Sequence, residues 1–270
     1  MIIYNAKIMT MNAAGDVIEN GYIRFENGRI TEIGNTQPSP DMLSDGALDA
    51  DGGVVTPGFI DGHTHIGIIE DSLGFEGDDV NEASDPTTPH MRAVDAINPL
   101  ERCFSEAREG GVTCVAAGPG SANPIGGQFC AIKTAGKRID KMIVRAPVAM
   151  KFALGENPKG CYHGKNQTPE TRMATAALIR EQLFKAKKYA EDMDKAHADY
   201  EDEDDRPDEP DFDIRSAALV PVVRGSLPAH FHAHRADDIF TAIRISKEFG
   251  LKYVIVHCTE GHIIADELAD

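Results

Sequence analysis

A chain of 270 residues with an apolar fraction of 41% is long enough for one large α/β domain, or for one domain with a smaller appendage. Its formal net charge of −17 argues against nucleic acid and anionic membrane surfaces as partners, because both would repel it. The five cysteines form no C-x-x-C pair and no apolar run approaches the ~20 residues that span a bilayer. The N-terminus MIIYNAKIMTMN also lacks the charged-then-apolar order of a secretory leader, so the expectation is a cytoplasmic protein with reduced thiols.

Residues 1–53 read as short strands joined by turns, with Asn27-Gly28 a strong hairpin signal. No chemical cluster falls here, and the segment is expected to serve packing. From residue 54 the pattern changes to buried strands alternating with helices. Val54–Ile60 is the first strand, and NPLERCFSEAREGG (98–111) is an amphipathic helix with Leu100, Phe104 and Ala107 on one stripe. GVTCVAAGPG, GQFCAIKTAG and APVAMKFALGEN follow as strands, with GPGSANPIGG (118–127) as a flexible loop beside the site. Thr168-Pro169-Glu170 is expected to open a long helix running to about residue 200. The run EDEDDRPDEPDFD (201–213), nine of whose thirteen residues are acidic, repels itself and reads as a solvated loop. This helical and acidic stretch, about 163–225, is expected to be an insertion. LPAHFHAH and LKYVIVHC are further strands, and RADDIFTAIRISKEFG (235–250) is the helix between them, closed by Gly250. EGHIIADELAD (260–270) opens another helix and stops within it, so the sequence is expected to be a fragment of a longer protein. The strand–helix–strand order argues for an α/β protein with parallel strands and right-handed crossovers: a (β/α) barrel, with a doubly wound sheet as the alternative.

The histidines carry the chemistry. On an extended strand, residues i and i+2 point the same way, so His63 and His65 stand side by side. His230, His232 and His234 share one parity, and His257 ends an apolar strand. A single such histidine is more often a hydrogen-bonded structural residue. Three strand ends carrying histidine point instead to a metal centre at the end of a barrel where active sites are built. His230 is the deepest and weakest member, and His234 is a candidate for steadying the substrate. In MKFALGENPKG (150–160), Glu156 is a direct ligand candidate, and Lys151 becomes one only if carbon dioxide converts its amine to a carbamate. In HCTEGH (257–262) the two histidines are five apart, about 140° around a helix, so a helical metalloprotease motif is excluded.

PGFIDGHTH (57–65) resembles the first-strand signature of the amidohydrolase superfamily. HAHRADDI (232–239) and VIVHCTEGH (254–262) resemble the fifth- and sixth-strand histidine segments of its imidazolonepropionase-like and Xaa-Pro-dipeptidase-like members, and ALGENPKG and TRMATAALIRE resemble a less characterised branch. The resemblance implies a (β/α)8 barrel of the TIM type, incomplete here at strands 1–6, with a small N-terminal β-sandwich part over 1–53 and the partial barrel over 54–270. It implies one or two divalent ions, usually zinc, held by His63, His65, His232 and His257 with Lys151 or Glu156 bridging. The family's aspartate after the eighth strand has no counterpart in this sequence. The implied reaction is hydrolysis of a non-peptide C–N bond in a small molecule, with dipeptide cleavage, heterocycle deamination, or a catalytically inert metal- or partner-binding relative as alternatives. A homo-oligomer is compatible with all of these.

Overall fold

A computed structural model of the chain describes residues 1–43, 46–200, 204 and 206–269. The chain divides into two compact units, Met1–Phe59 and Ile60–Asp270. The first is built on a five-stranded sheet. Strand β1 (Ile2–Met9) pairs antiparallel with β2 (Val17–Glu26), which turns into β3 (Arg29–Gly34). The turn is the expected one: Glu26 pairs with Arg29 across Asn27 and Gly28, both at positive φ (52° and 74°). The short strands β4 (Leu48–Asp49) and β5 (Val54–Val55) run parallel to β1. Ala6, Ile8 and Ile23 form the centre of this unit's core.

The expected strand over Val54–Ile60 is therefore two strands. Val54–Val55 completes the first sheet, and β6 (Phe59–Thr64) belongs to the second. Pro57, which has no N–H for a ladder, lies in the break.

The second unit holds a six-stranded sheet in the order β11-β10-β9-β8-β7-β6. After β6 come helix α1 (Cys103–Glu109) and strands β7 (Val112–Ala117) and β8 (Ile125–Lys133). The one-turn helix α2 (Ile139–Met142) leads into β9 (Ile143–Ala153). Helices α3 (Glu156–His163), α4 (Arg172–Ala196) and α5 (Ile214–Val223) separate β9 from β10 (Ala229–Ala233). Helix α6 (Ala236–Phe249), β11 (Tyr253–His257) and α7 (Ala265–Ala269) follow.

The expectation of parallel strands holds for β9, β10 and β11 and fails for β7, β8 and β9, which are antiparallel. Chain length explains the difference. Parallel neighbours need a crossover of a dozen or more residues, and the β7–β8 connection, residues 118–124, is too short for one. Nor is that connection a loose loop. Asn123 is buried; its Nδ2 donates to Glu82 O (2.8 Å) and Thr88 Oγ1 (2.9 Å), and its Oδ1 accepts from Tyr162 OH (2.6 Å).

Helix α1 is shorter than expected: Phe104 is buried, but Leu100 precedes the helix and is 70% exposed. Helix α4 begins three residues later than expected, because Thr171, not Thr168, caps it by accepting from Ala174 N (3.1 Å). Two helices of the stretch read as an insertion, α4 and α5, contribute to the core. Ile179 and Leu183 of α4 and Leu219 and Val222 of α5 pack with Met150 and Phe152 of β9 and Phe231 of β10, and the Phe152 and Phe231 rings stack at 4.7 Å. Helix α6 matches its reading, with Ile239, Ala242 and Ile245 buried and Gly250 ending it in the left-handed region. Of the acidic run, Glu201, Asp202, Glu203 and Asp205 lie outside the described residues. All five cysteines are free thiols, and among the described residues no helix is long and apolar enough to cross a membrane.

Candidate metal centre

Sheet register brings the candidate residues together. Lys151 of β9 and His230 of β10 are paired positions, and His232 of β10 lies opposite Val256, one residue before His257 at the end of β11. His63 comes from β6, at the other edge of the sheet order, and His65 lies just beyond it. The group has a deep and an outer part.

In the deep part Lys151 is completely buried, its Nζ 3.3 Å from His63 Nε2 and 5.8 Å from the centre of the Phe129 ring. The His63 and Phe129 rings stack at 5.0 Å, and the His230 ring lies 6.2 Å from His63 and 5.8 Å from Phe129. A buried ammonium beside an aromatic ring has lost its hydration, and this desolvation lowers the Lys151 pKa to about 7. Burial, followed by the nearby Lys151 charge, holds His63 at about 3. His230 and His65 are lowered for the same leading reason. His65 donates through Nδ1 to Gly118 O (2.7 Å), which leaves its Nε2 as a free lone pair. Gly118 cannot carry a side chain here, since a Cβ would lie 2.1 Å from the Phe129 ring.

In the outer part the ligand atoms of His232, His234 and His257 lie within 4.8 Å of one another. The His232 ring is 4.5 Å from His234 and 4.7 Å from His257, and His234 and His257 stack nearly parallel at 5.0 Å. His234 Nδ1 is 2.6 Å from Thr259 Oγ1, and Asn157 Nδ2 is 3.1 Å from His232 Nε2. His232 is 4% exposed, and burial, ahead of the Lys151 charge, holds its pKa at about 3. Burial also lowers His257. His257 and Cys258 both adopt positive φ (69° and 50°), a backbone cost of the kind found where a fold aims a functional side chain. The two parts meet at His63, whose ring is 5.8 Å from His257 and 5.3 Å from His65.

The structure thus gathers His63, His65, Lys151, His232, His234 and His257. It does not bring in Glu156, which opens α3 on the exposed surface without a hydrogen-bond or ion-pair partner among the described residues. The helix that begins there turns the next residue, Asn157, onto His232 instead. Nothing in the sequence distinguished Asn157. His230 was signalled by its parity with His232, and its position level with Lys151 comes from strand register. His262 is exposed and hydrogen-bonds to Thr259 O on a short 3-10 turn, while His257 ends a strand, so the two do not share a helix.

The donor set fits a divalent ion. Burial holds the imidazoles of His63, His65, His230, His232 and His257 toward the neutral form, and Nδ1 of His63, His230 and His232 are buried without a partner among the described residues. A nitrogen-rich set suits transition-type ions over magnesium or calcium. Nearby, a cavity of about 860 Å³ is lined by Asp79, Asn81, His90, Arg92, Pro119 and Gly126. Its Gly126 wall backs directly onto the site, since a Cβ there would lie 3.3 Å from Lys151 Cγ.

No family model matches the chain. Similarity to individual proteins is clear. The crystal structure of an amidohydrolase from Thermotoga maritima MSB8 superimposes with a TM-score of 0.87 at 39% identity, covering 99% of this chain and 67% of that one. The amidohydrolase tasK of Hapsidospora irregularis is 30% identical over 92% of this chain and 27% of its own length. A 5-methylthioadenosine/S-adenosylhomocysteine deaminase of Bacillus thuringiensis (strain Al Hakam) is 40% identical over 76 residues, 28% of this chain and 17% of that protein. The chain belongs to the amidohydrolase superfamily. It spans about a quarter or less of the length of these two curated relatives.

Proposed function

We propose that the chain contributes the histidine-bearing part of a metal-dependent hydrolase that cleaves a non-peptide C–N bond, an amide or cyclic amide, in a small molecule. The observation that carries this reading is the convergence of imidazoles from β6, β10 and β11 around a buried lysine. His63, His65, His232 and His257 would hold one or two divalent ions, with zinc the best match to the donor set. A bound ion of this kind lowers the pKa of water from about 15.7 toward about 7 and polarises a carbonyl oxygen.

Lys151 would bridge as a carbamate. Its low pKa leaves much of the amine unprotonated near neutrality, so nitrogen can add to carbon dioxide with release of one proton. The polar partner then stands where His63 and His230 face it. His234 has two tautomers open to it through Thr259. With Nδ1 accepting from the hydroxyl, Nε2–H donates to a substrate oxygen; with Nδ1 donating, Nε2 becomes a third outer ligand. The cavity beside Gly126 would admit the substrate. Protonation of the leaving nitrogen falls to a group outside this set, the role the superfamily gives to an aspartate after the eighth strand.

The same reading completes the architecture as a (β/α)8 barrel, with residues 1–53 as the N-terminal part of a β-sandwich and 54–270 as the partial barrel, in a cytoplasmic protein. A metal-dependent deaminase is the second reading, supported by the deaminase match. The test is elemental analysis of the purified intact protein combined with turnover on amides, cyclic amides and aminated heterocycles. Bound zinc with amide hydrolysis supports the first reading, and ammonia release from a heterocycle supports the second. Bound metal without turnover would leave a metal- or partner-binding relative.

A further inference from the structure

We infer that Asn157 is a positioning residue that fixes the tautomer of His232, so that Nδ1 carries the lone pair offered to an ion. This rests on the ion site proposed above and assigns a role inside it. Asn157 is the second residue of α3, and its amide lies 3.1 Å from His232 Nε2. His232 Nδ1 is buried and has no partner among the described residues.

The nitrogen and oxygen of an amide occupy equivalent positions, so two arrangements fit the same contact. In the first, the Asn157 NH2 donates to Nε2. The proton of a neutral imidazole must then sit on Nδ1, where it is a buried donor with no acceptor, an expensive arrangement. In the second, Asn157 Oδ1 accepts from Nε2–H. The unmet atom is then the Nδ1 lone pair, whose natural complement is a cation. At 4% exposure His232 has little access to water that could rescue the first arrangement. The second also parallels His65, where the Gly118 carbonyl accepts from Nδ1–H and frees Nε2. One device thus serves two histidines through opposite ring nitrogens, a backbone oxygen on His65 and a side-chain oxygen on His232. The neighbouring Glu156 makes no such contact, which separates the two residues by role although they adjoin in sequence.

The experiment is a two-bond 1H–15N correlation spectrum of the histidine rings in the full chain. It is recorded after chelator treatment and again with zinc, the His232 signals being assigned from their loss in His232→Gln. A competition titration against a chromogenic chelator gives the zinc affinity. The expected result is an Nε2-protonated His232 in the ion-free chain, with zinc shifting Nδ1. Asn157→Asp should retain that tautomer, because a carboxylate only accepts, and should bind zinc at least as well as the native chain. Asn157→Leu should lose the preference and weaken zinc binding by about 10- to 100-fold. Because Asn157 is exposed, neither substitution removes a core residue. An Nδ1-protonated His232 in the native chain overturns the inference, as does an Asp variant that behaves like the Leu variant. If the native chain takes up no zinc, the ion-site reading fails, while the tautomer in the chelated chain still decides the role of Asn157.

Discussion

The deep and outer parts of the histidine group are held in opposite ways. Lys151, His63 and His230 are fixed by burial against Phe129, and their polar atoms are largely unmet. His232, His234 and His257 are fixed by ring packing and by hydrogen bonds with Asn157 and Thr259, and the group opens outward to an exposed His257. The deep part, and the buried His232 beside it, are therefore a store of unfavourable desolvation that only a ligand relieves, while His234 and His257 form an oriented, more exposed rim with little folding energy at stake. Substitutions among the buried groups should exchange function for stability, and those at the His234–His257 rim should cost function alone.

The largest effect is expected for His257→Asn, which keeps a residue type tolerant of positive φ and removes the imidazole. Metal content should fall, and activity of the intact protein should drop by more than the ~100-fold that loss of a mere orienting partner costs. The melting temperature of the ion-free form should barely move. Lys151→Met is next. Activity should fall on the order of 100-fold, while ion-free stability at pH 7 should rise by on the order of 1–4 kcal/mol in denaturant titration. The sign follows from the pKa, about 7 when folded against 10.5 when unfolded. As pH falls from 10.5 to about 7 the unfolded chain takes up a proton that the folded chain refuses, so the penalty is complete below pH 7 and absent well above 10.5. The advantage of the Met variant should shrink accordingly at high pH. An unchanged or lowered stability at pH 7 would break the contrast between the two parts.

Acid should act on the ion-free chain through His63 and His232. Their folded pKa of about 3 lies below the ordinary imidazole value of 6.5, so stability is lost as pH falls from 6.5 toward 3 and unfolded imidazoles protonate first. Added zinc should oppose that loss in the upper part of the range, where it competes with protons for the same nitrogens. Gly118→Ala should cost about 1–3 kcal/mol by forcing the Phe129 ring away from its place beneath His63 and His65. The smallest effect belongs to Glu156→Gln, expected within about 0.5 kcal/mol in stability and without change in metal content, as for an exposed residue with no partner among the described residues. Lost metal in that variant would reinstate Glu156 as a ligand.

What the sequence disclosed and what it hid have separate physical causes. The Asn27-Gly28 turn, the Gly250 helix end and the parity of His63 with His65 are local, set by φ preference and by the two-residue period of a strand. They were legible for that reason. The antiparallel β7–β9 segment, the place of α4 and α5 in the core, and the shift of the α4 cap to Thr171 depend on connection length and tertiary packing, which residue patterns do not encode. The site divides in the same way. Its histidines announce themselves by type and spacing. Asn157 becomes visible only when α3 is laid over β10, and the same helix begins at Glu156 with that residue on the exposed surface.

The account stands on imidazoles of β6, β10 and β11 sharing an ion. The most direct measurement is the zinc anomalous signal in a crystal of the intact protein. The expected result is density about 2.0–2.1 Å from nitrogens of at least three of His63, His65, His232 and His257. Zinc found only on the acidic run over 201–213, or imidazoles turned away from a common centre in the metal-loaded crystal, would contradict it.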